Sequence, residues 1–324
     1  MSRSELEVIF IGGSPRSGST LLALLLNSLP GHFAAGEMRY LWLRGLQGNQ
    51  LCECGQPFRS CPLWREVVST ALGPIDELRA EHYTDLWKRA AGPLAVWRSL
   101  FPRSTDMVRQ QHEYLDALRR VVLALGRISG GRFVVDSSKY ATDCLLLSRL
   151  PGIRVHAIHL VRDSRAVAYS WRRTKRRPEI HWQQLDMELM SPIRSSYKWG
   201  SLNAAMEFVG TRVDRYDRIR YEDLVCDPFA TLSPVLPSDL RTDLAEVLSG
   251  DRVRPGAGHT FSGNPLRFER APLTIRPDVE WITKMDESDR LLVTGLTLPL
   301  LMRYGYPVRP RRASSRARSS VHTA

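Results

Sequence analysis

No stretch of this sequence is apolar for long enough to cross a bilayer. The longest run, Leu21 to Leu26, falls far short of the roughly 20 residues a membrane helix needs. The N-terminus has no charged segment followed by a long apolar one. It reaches a strand pattern within a few residues, so no secretory signal is read there. Cysteine is scarce, and five residues, an odd count, fit a reducing compartment better than a disulfide scaffold. These absences predict a cytoplasmic protein with no transmembrane segment. Internal repeats are missing as well, and low complexity is confined to the C-terminal end.

Acidic residues are in deficit. Lys plus Arg number 46 against 34 Asp plus Glu, a formal charge of +12. The excess favours anionic ligands, acidic acceptors or anionic surfaces without choosing among them. Part of it is local, because residues 309–324 hold Arg309, Arg311, Arg312, Arg316 and Arg318 and no acid. That segment reads as a disordered basic tail. The remaining residues, 1–308, are rich enough in apolar side chains to predict one large α/β domain. Residues 40–104 carry several Trp, Pro and Cys residues without a β-α rhythm and read as a mostly helical insertion over the active site.

The rhythm elsewhere is strand then helix. Val8 to Ile11 is a short β-rich run ending in Gly12-Gly13, followed by a polar turn and a helix-like stretch from Thr20 to Leu29 that stops at Pro30-Gly31. A helical period from Thr105 to Leu125 leads to the strand Phe133-Val134-Val135, then to Asp136-Ser137-Ser138-Lys139 and a helix to Leu150. A third strand, Val155 to Val161, feeds Arg162-Asp163-Ser164 and a helix through Arg173. This alternation predicts a three-layer fold, a central parallel sheet flanked by helices, with ligand sites at the carboxyl ends of the strands.

Gly13-Ser14-Pro15-Arg16-Ser17-Gly18-Ser19-Thr20 lies between a strand and a helix, where backbone N–H groups and the helix dipole favour a phosphate. A nucleoside-triphosphatase loop would have lysine where Ser19 stands. That lysine serves the β and γ phosphates, so its absence favours a ligand with one 5' phosphate group plus something else. Arg16 supplies a cation from within the loop.

This loop resembles the 5'-phosphosulfate loop of sulfotransferases that use 3'-phosphoadenosine 5'-phosphosulfate (PAPS). Arg162-Asp163-Ser164-Arg165-Ala166-Val167-Ala168-Tyr169-Ser170 resembles the same family's 3'-phosphate motif, in which Arg162 and Ser170 would bind that phosphate. A separation of eight residues is a little over two helical turns and returns Ser170 near the face of Arg162. The same segment also reads as a helix start capped by Asp163 or Ser164. The resemblance implies a P-loop-like fold, PAPS as sulfuryl donor, PAP as spent donor, a hydroxyl-bearing acceptor, and no metal requirement for transfer. It implies binding roles for Ser14, Pro15, Arg16, Ser17, Gly18, Ser19 and Thr20. Tyr221, in Arg220 to Leu224, would approach the nucleotide. Arg267, in Gly263-Asn264-Pro265-Leu266-Arg267, would belong to a loop closing over the 3' phosphate.

Sulfuryl transfer needs a base for the acceptor hydroxyl and cations at the leaving oxygen. A carboxylate near the loop with its pKa raised by partial burial would serve as base. Glu37, in Gly36-Glu37-Met38-Arg39, is the candidate, and the resemblance to the tyrosylprotein and carbohydrate branch implies that role with Arg39 nearby. The alternative is a surface Glu37–Arg39 ion pair. Lys139 would stabilise charge on the bridging oxygen beside Ser137 or Ser138, with Arg16 as a further catalytic cation. Asp136-Ser137-Ser138 also reads as an ordinary helix start.

Other signals stay open. Cys52, Cys54 and Cys61 place three thiols within ten residues, one ligand short of a tetrahedral zinc set unless Cys144, Cys226 or a histidine joins. They also fit local packing or a redox pair, and no metal ligand is assigned. His259 is a second candidate base or a structural histidine. The run from Arg172 to Arg177 reads as a solvated helix end or as an attractor for an acidic acceptor. A P-loop kinase with Asp136 as metal ligand and a nucleic-acid or membrane-surface module using the basic tail are the competing classes. Neither explains both phosphate motifs, so no nucleic-acid partner is expected.

Overall fold

Residues of β1 (Leu6–Gly12) alternate between two apolar clusters: Val8 and Phe10 pack into one, Ile9 and Ile11 into the other. A strand buried on both faces belongs at the centre of a parallel sheet. In the computed structural model, which describes residues 5–91, 105–248, 252–253 and 258–309, β1 is the middle strand of five. The order is β2-β3-β1-β4-β5 and every pairing is parallel. The partners are β2 (His32–Gly36), β3 (Phe133–Lys139), β4 (Ile153–Val161) and β5 (Arg215–Arg220).

One face of the sheet carries α1 (Ser19–Asn27), whose Leu22, Leu25 and Leu26 pack on Ile9, Ile11, Val135 and Leu160. The other face carries α2 (Pro62–Leu72), α3 (Ala80–Ala91), α4 (Thr105–Ser129) and α5 (Ala141–Leu147). Trp42, Phe58, Trp64, Val67 and Leu86 join Val8, Phe10 and Val134 there, so residues 40–91 form much of that core layer. Helix α6 (Ser164–Trp171) follows β4, α7 (Pro192–Gly210) precedes β5, and α8 (Tyr221–Cys226) follows it directly. The C-terminal α9 (Glu287–Arg303) packs its Leu301 with Val161, Val167 and Trp199. The layers are helix, sheet, helix, as the strand–helix alternation predicts.

The edge strand β5 and the helix α7 are not read from the sequence, and two further elements differ from its expectation. The edge strand β2 escapes notice because His32, Ala34 and Ala35 are weak strand formers and only five residues pair. Strand β3 does not stop at Val135 but continues fully buried through Lys139, so Asp136, Ser137 and Ser138 belong to a strand rather than to a helix start. Residues 92–104 of the expected insertion and 310–324 of the expected basic tail lie outside the described residues. Among the described residues no helix is long and apolar enough to cross a membrane.

Candidate active site

The carboxyl ends of β1, β3 and β4 open into a cavity of about 450 Å³. The turn after β1 is shaped by three left-handed residues, Gly13 (φ 125°), Arg16 (φ 72°) and Gly18 (φ 94°). A β-carbon on Gly18 would come within 2.5 Å of the Tyr221 ring. Gly18 is the N-cap of α1 and no side chain caps that end. The N–H groups of Ser19, Thr20 and Leu21 therefore have no carbonyl within the helix and face the cavity end with the dipole's positive pole.

Arg16 is non-glycine with positive φ, a conformation that costs about 1–3 kcal/mol unless the surroundings impose it. Its two terminal guanidinium nitrogens are buried without a hydrogen-bond partner, and the guanidinium lies 4.7 Å from the centre of the Trp171 ring. Burial pulls its pKa down. A buried cation with two unsatisfied donors on a cavity wall calls for an anion. Lys198 shares the same indole from 5.3 Å.

Arg162 lines the same cavity and meets the loop directly. It donates to the Arg16 carbonyl at 2.9 Å, pairs with Asp278 at 2.9 Å and stacks over Tyr221 at 4.5 Å, while its Nε has no partner. Ser170, near the end of α6, lines the same cavity. Asp163 caps α6 by accepting from the Arg165 N–H at 2.9 Å, so the capping and wall-forming roles fall on neighbouring residues.

Glu37 lines the same cavity and is 8% exposed. Its backbone N–H donates to the Phe261 carbonyl at 2.9 Å, and its carboxylate takes the Lys139 ammonium. Lys139 also donates to the Ser137 carbonyl at 3.0 Å and adopts φ 75°, a bend that turns its side chain under Glu37. Arg44 approaches Glu37 to 3.8 Å, and Ser262 donates to it at 3.4 Å. Burial alone would raise the Glu37 pKa, but the charges of Lys139, Arg44 and Arg267 outweigh it and hold the carboxyl below its ordinary value. That direction is opposite to the one expected from partial burial.

Arg39 does not stand beside Glu37. It turns inward, pairs with buried Asp143 at 2.6 Å and lies over Tyr140 at 4.2 Å, so the nearby arginine is Arg44. The surface pair Glu37–Arg39 is likewise absent. Asp136 lies off the cavity wall, accepting from the Ser138 N–H at 2.9 Å and the Met38 N–H at 3.3 Å. Burial pushes its carboxyl up to about 7, and its hydrogen bonds brace β3 against the Glu37 segment.

Of the loop residues, Pro15, Arg16, Gly18, Ser19 and Thr20 line the cavity, as do Arg162, Ser170, Tyr221, Glu37 and Lys139. Ser14 and Ser17 are buried off the wall, Ser14 donating to the Pro15 carbonyl at 3.2 Å. Arg267 is fully buried behind Gly263, whose carbonyl accepts from it at 2.8 Å. Its loop meets the cavity through Gly263, Asn264 and Leu266 instead. His259 is off the wall and packs against Cys61, so it is no base for this cavity. Arg173, Lys175 and Arg177 line the cavity, Arg173 and Lys175 while still exposed to solvent, so the basic run is both solvated and turned to the site. Arg44, Trp171, Lys198 and Asp278 carry no local sequence signal; Lys198 enters the cavity from α7.

A sequence model described as the sulfotransferase family matches residues 8–238. The chain belongs to the sulfotransferase family. This sulfotransferase is similar in structure to the sulfotransferase domain of the Synechococcus PCC 7002 olefin synthase, at 21% identity and a TM-score of 0.49, covering 95% of this chain and 98% of that one. It is also similar to the sulfotransferase domain of the curacin biosynthetic pathway, at 21% identity and a TM-score of 0.48, with coverage of 93% and 98%. A third similar structure is a sulfotransferase from Mycobacterium avium, at 14% identity and a TM-score of 0.45, with coverage of 96% and 79%. No curated protein matches the sequence. The family assignment rests on the matched sequence, and it makes this enzyme a transferase of sulfuryl groups rather than a kinase.

Proposed function

We propose that this sulfotransferase takes its sulfuryl group from PAPS and delivers it to a hydroxyl, with Glu37 accepting the hydroxyl proton. The observation that carries the reading is the pairing of two anion-seeking poles in one cavity. Arg16 with the uncapped start of α1 forms one, and Arg162 with Ser170 forms the other. A nucleotide bearing phosphate on both its 5' and 3' positions satisfies both poles; a nucleoside monophosphate satisfies one. Each charge-assisted hydrogen bond so formed contributes about 1.5–3 kcal/mol.

In the transfer, the acceptor oxygen bonds to sulfur as the bond from sulfur to the 5'-phosphate oxygen breaks. The electron pair stays on that phosphate, and the hydroxyl proton passes to Glu37. Lys139 has two tasks in succession. Without donor it neutralises Glu37. A bound phosphosulfate offers it a second anion, and as it moves toward the leaving oxygen Glu37 loses its nearest counter-charge. Burial then raises the carboxyl's proton affinity, so donor binding itself arms the base. Arg16 adds its charge to the same leaving group.

The rim bears on the acceptor. Burial, then the neighbouring charges of Arg16 and Arg173, lower the pKa of Lys175. Such crowding of cations supports an acceptor that carries negative charge near its hydroxyl. Lys175→Ala would raise KM for an anionic acceptor and leave a neutral one unaffected.

Calorimetry with 3'-phosphoadenosine 5'-phosphate tests the donor. Binding without magnesium that depends on the 3' phosphate and weakens in Arg162→Ala supports it. Preference for ATP with magnesium, or equal binding of adenosine 5'-phosphosulfate lacking the 3' phosphate, overturns it.

A further inference from the structure

Away from the cavity, the thiols of Cys52, Cys54 and Cys61 converge on the imidazole of His259, and their ligand atoms all lie within 4.8 Å of one another. The sulfur of Cys61 is 3.6 Å from that of Cys52, 3.7 Å from that of Cys54 and 3.2 Å from His259 Nδ1. Cys52 is 4.0 Å from the same nitrogen. A tetrahedral zinc ion with bonds of about 2.3 Å to sulfur and about 2.0 Å to nitrogen sets ligand edges of about 3.8 Å between sulfurs and about 3.5 Å from sulfur to nitrogen. The observed separations cluster around those edges.

The backbone is built for the same end. Residues 51–57 form a tight reversal in which the Cys52 N–H donates to the Gln56 carbonyl and the Gly55 N–H to the Cys52 carbonyl, both at 2.9 Å. Gly55 at φ 86° allows the turn. The N–H groups of Cys54, Gln56 and Trp64 lie against the sulfurs of Cys52, Cys54 and Cys61 respectively, the contacts that metal-bound thiolates accept. Cys61 also stands at the start of α2, where the helix dipole favours an anion.

We infer that Cys52, Cys54, Cys61 and His259 form a structural zinc site. Three thiolates and one imidazole fill all four positions, which leaves none open for catalysis. Binding releases the three thiol protons. The ion would bridge the 51–61 segment to the irregular segment at His259, some two hundred residues later in the chain. His259 leads directly to Thr260, whose N–H donates to the buried Glu53 carboxylate at 3.0 Å, and to Phe261. Phe261 donates to the Ala35 carbonyl and accepts from the Glu37 N–H, both at 2.9 Å. The site thus anchors the backbone that holds Glu37, and its role is positioning.

The test begins with protein purified under reducing conditions without chelator. Elemental analysis should find about one zinc per chain, and X-ray absorption should find three sulfurs at about 2.3 Å and one nitrogen at about 2.0 Å. Cys54→Ser and His259→Ala should lose the metal, whereas His259→Cys, which restores four ligands, should keep it. Cobalt exchange should give the intense visible bands of a tetrahedral thiolate complex. A native protein that emerges metal-free and gives no such bands, or that carries a disulfide among these thiols, overturns the proposal. These readouts stand on the native chain even where a variant fails to fold, and none depends on which donor the enzyme uses.

Discussion

The ammonium of Lys139 rests on the carboxylate of Glu37, and the two side chains, 102 residues apart in sequence, are both buried in the cavity wall. Neither charge could stay buried without the other. The base candidate and the leaving-group candidate therefore hold each other in register before any ligand arrives.

That pairing sets a pH dependence. Lys139, Arg44 and Arg267 hold the Glu37 pKa below its ordinary value against the effect of burial. In Lys139→Met, burial gains the upper hand and the pKa rises. The acidic limb of kcat/KM should therefore lie lower in the native enzyme and move to higher pH in the variant. A limb that stays in place would remove Glu37 from the titration. For stability, a depressed folded-state pKa contributes above the unfolded glutamate range and is lost as pH falls through the folded value. Thermal denaturation followed from neutral to acid pH should show that loss, and Glu37→Gln should flatten it.

Glu37→Gln should lower turnover about 10²- to 10⁴-fold, the range for removing a general base. Affinity for 3'-phosphoadenosine 5'-phosphate should change little. Rapid-quench turnover paired with calorimetry separates the two effects.

Arg16→Ala and Arg162→Ala should each weaken that nucleotide by about 10- to 100-fold, as expected for losing charge-assisted hydrogen bonds. Ser170→Ala should cost less, about fivefold, since it removes one neutral donor. Arg162→Ala should also erase discrimination between nucleotides with and without the 3' phosphate, which Arg16→Ala should preserve.

Arg39 and Arg44 should separate cleanly. Arg39→Ala strands buried Asp143 and should destabilise the fold by about 3–5 kcal/mol, visible in the denaturant midpoint. Arg44→Ala, half-buried beside Glu37, should leave the midpoint nearly unchanged and shift the acidic limb of the rate profile upward.

Gly18→Ala should fail in two ways, through strain at φ 94° and through overlap with the Tyr221 ring. Adding Tyr221→Ala relieves the overlap alone, so the double variant should regain part of the lost melting temperature and little nucleotide affinity.

Both phosphate-seeking motifs are readable from the chain because each is contiguous. A strand, a glycine turn and a helix start are local structures whose backbone N–H groups point one way whatever surrounds them. The eight-residue interval from Arg162 to Ser170 is likewise set by one strand end and one helix. The central sheet was legible for the same reason, through apolar runs such as Val8 to Ile11, whereas β2 was not, because its Ala and His residues carry no strand signal of their own.

What local chemistry determined by itself is the fold class, the family and the placing of anion-binding backbone at strand ends. Tertiary structure alone decided which charges meet: that Glu37 finds Lys139 and Arg44 while Arg39 turns to Asp143, that Lys198 reaches the cavity from a long helix, and that His259 completes the set begun by three distant thiols. Apart from Glu37 and Arg44, these pairings join residues about a hundred to two hundred positions apart. Side-chain type fixes what each group can do, but only packing of the layers sets which groups meet, and where both partners are buried, as in Glu37–Lys139 and Arg39–Asp143, losing one strands the other.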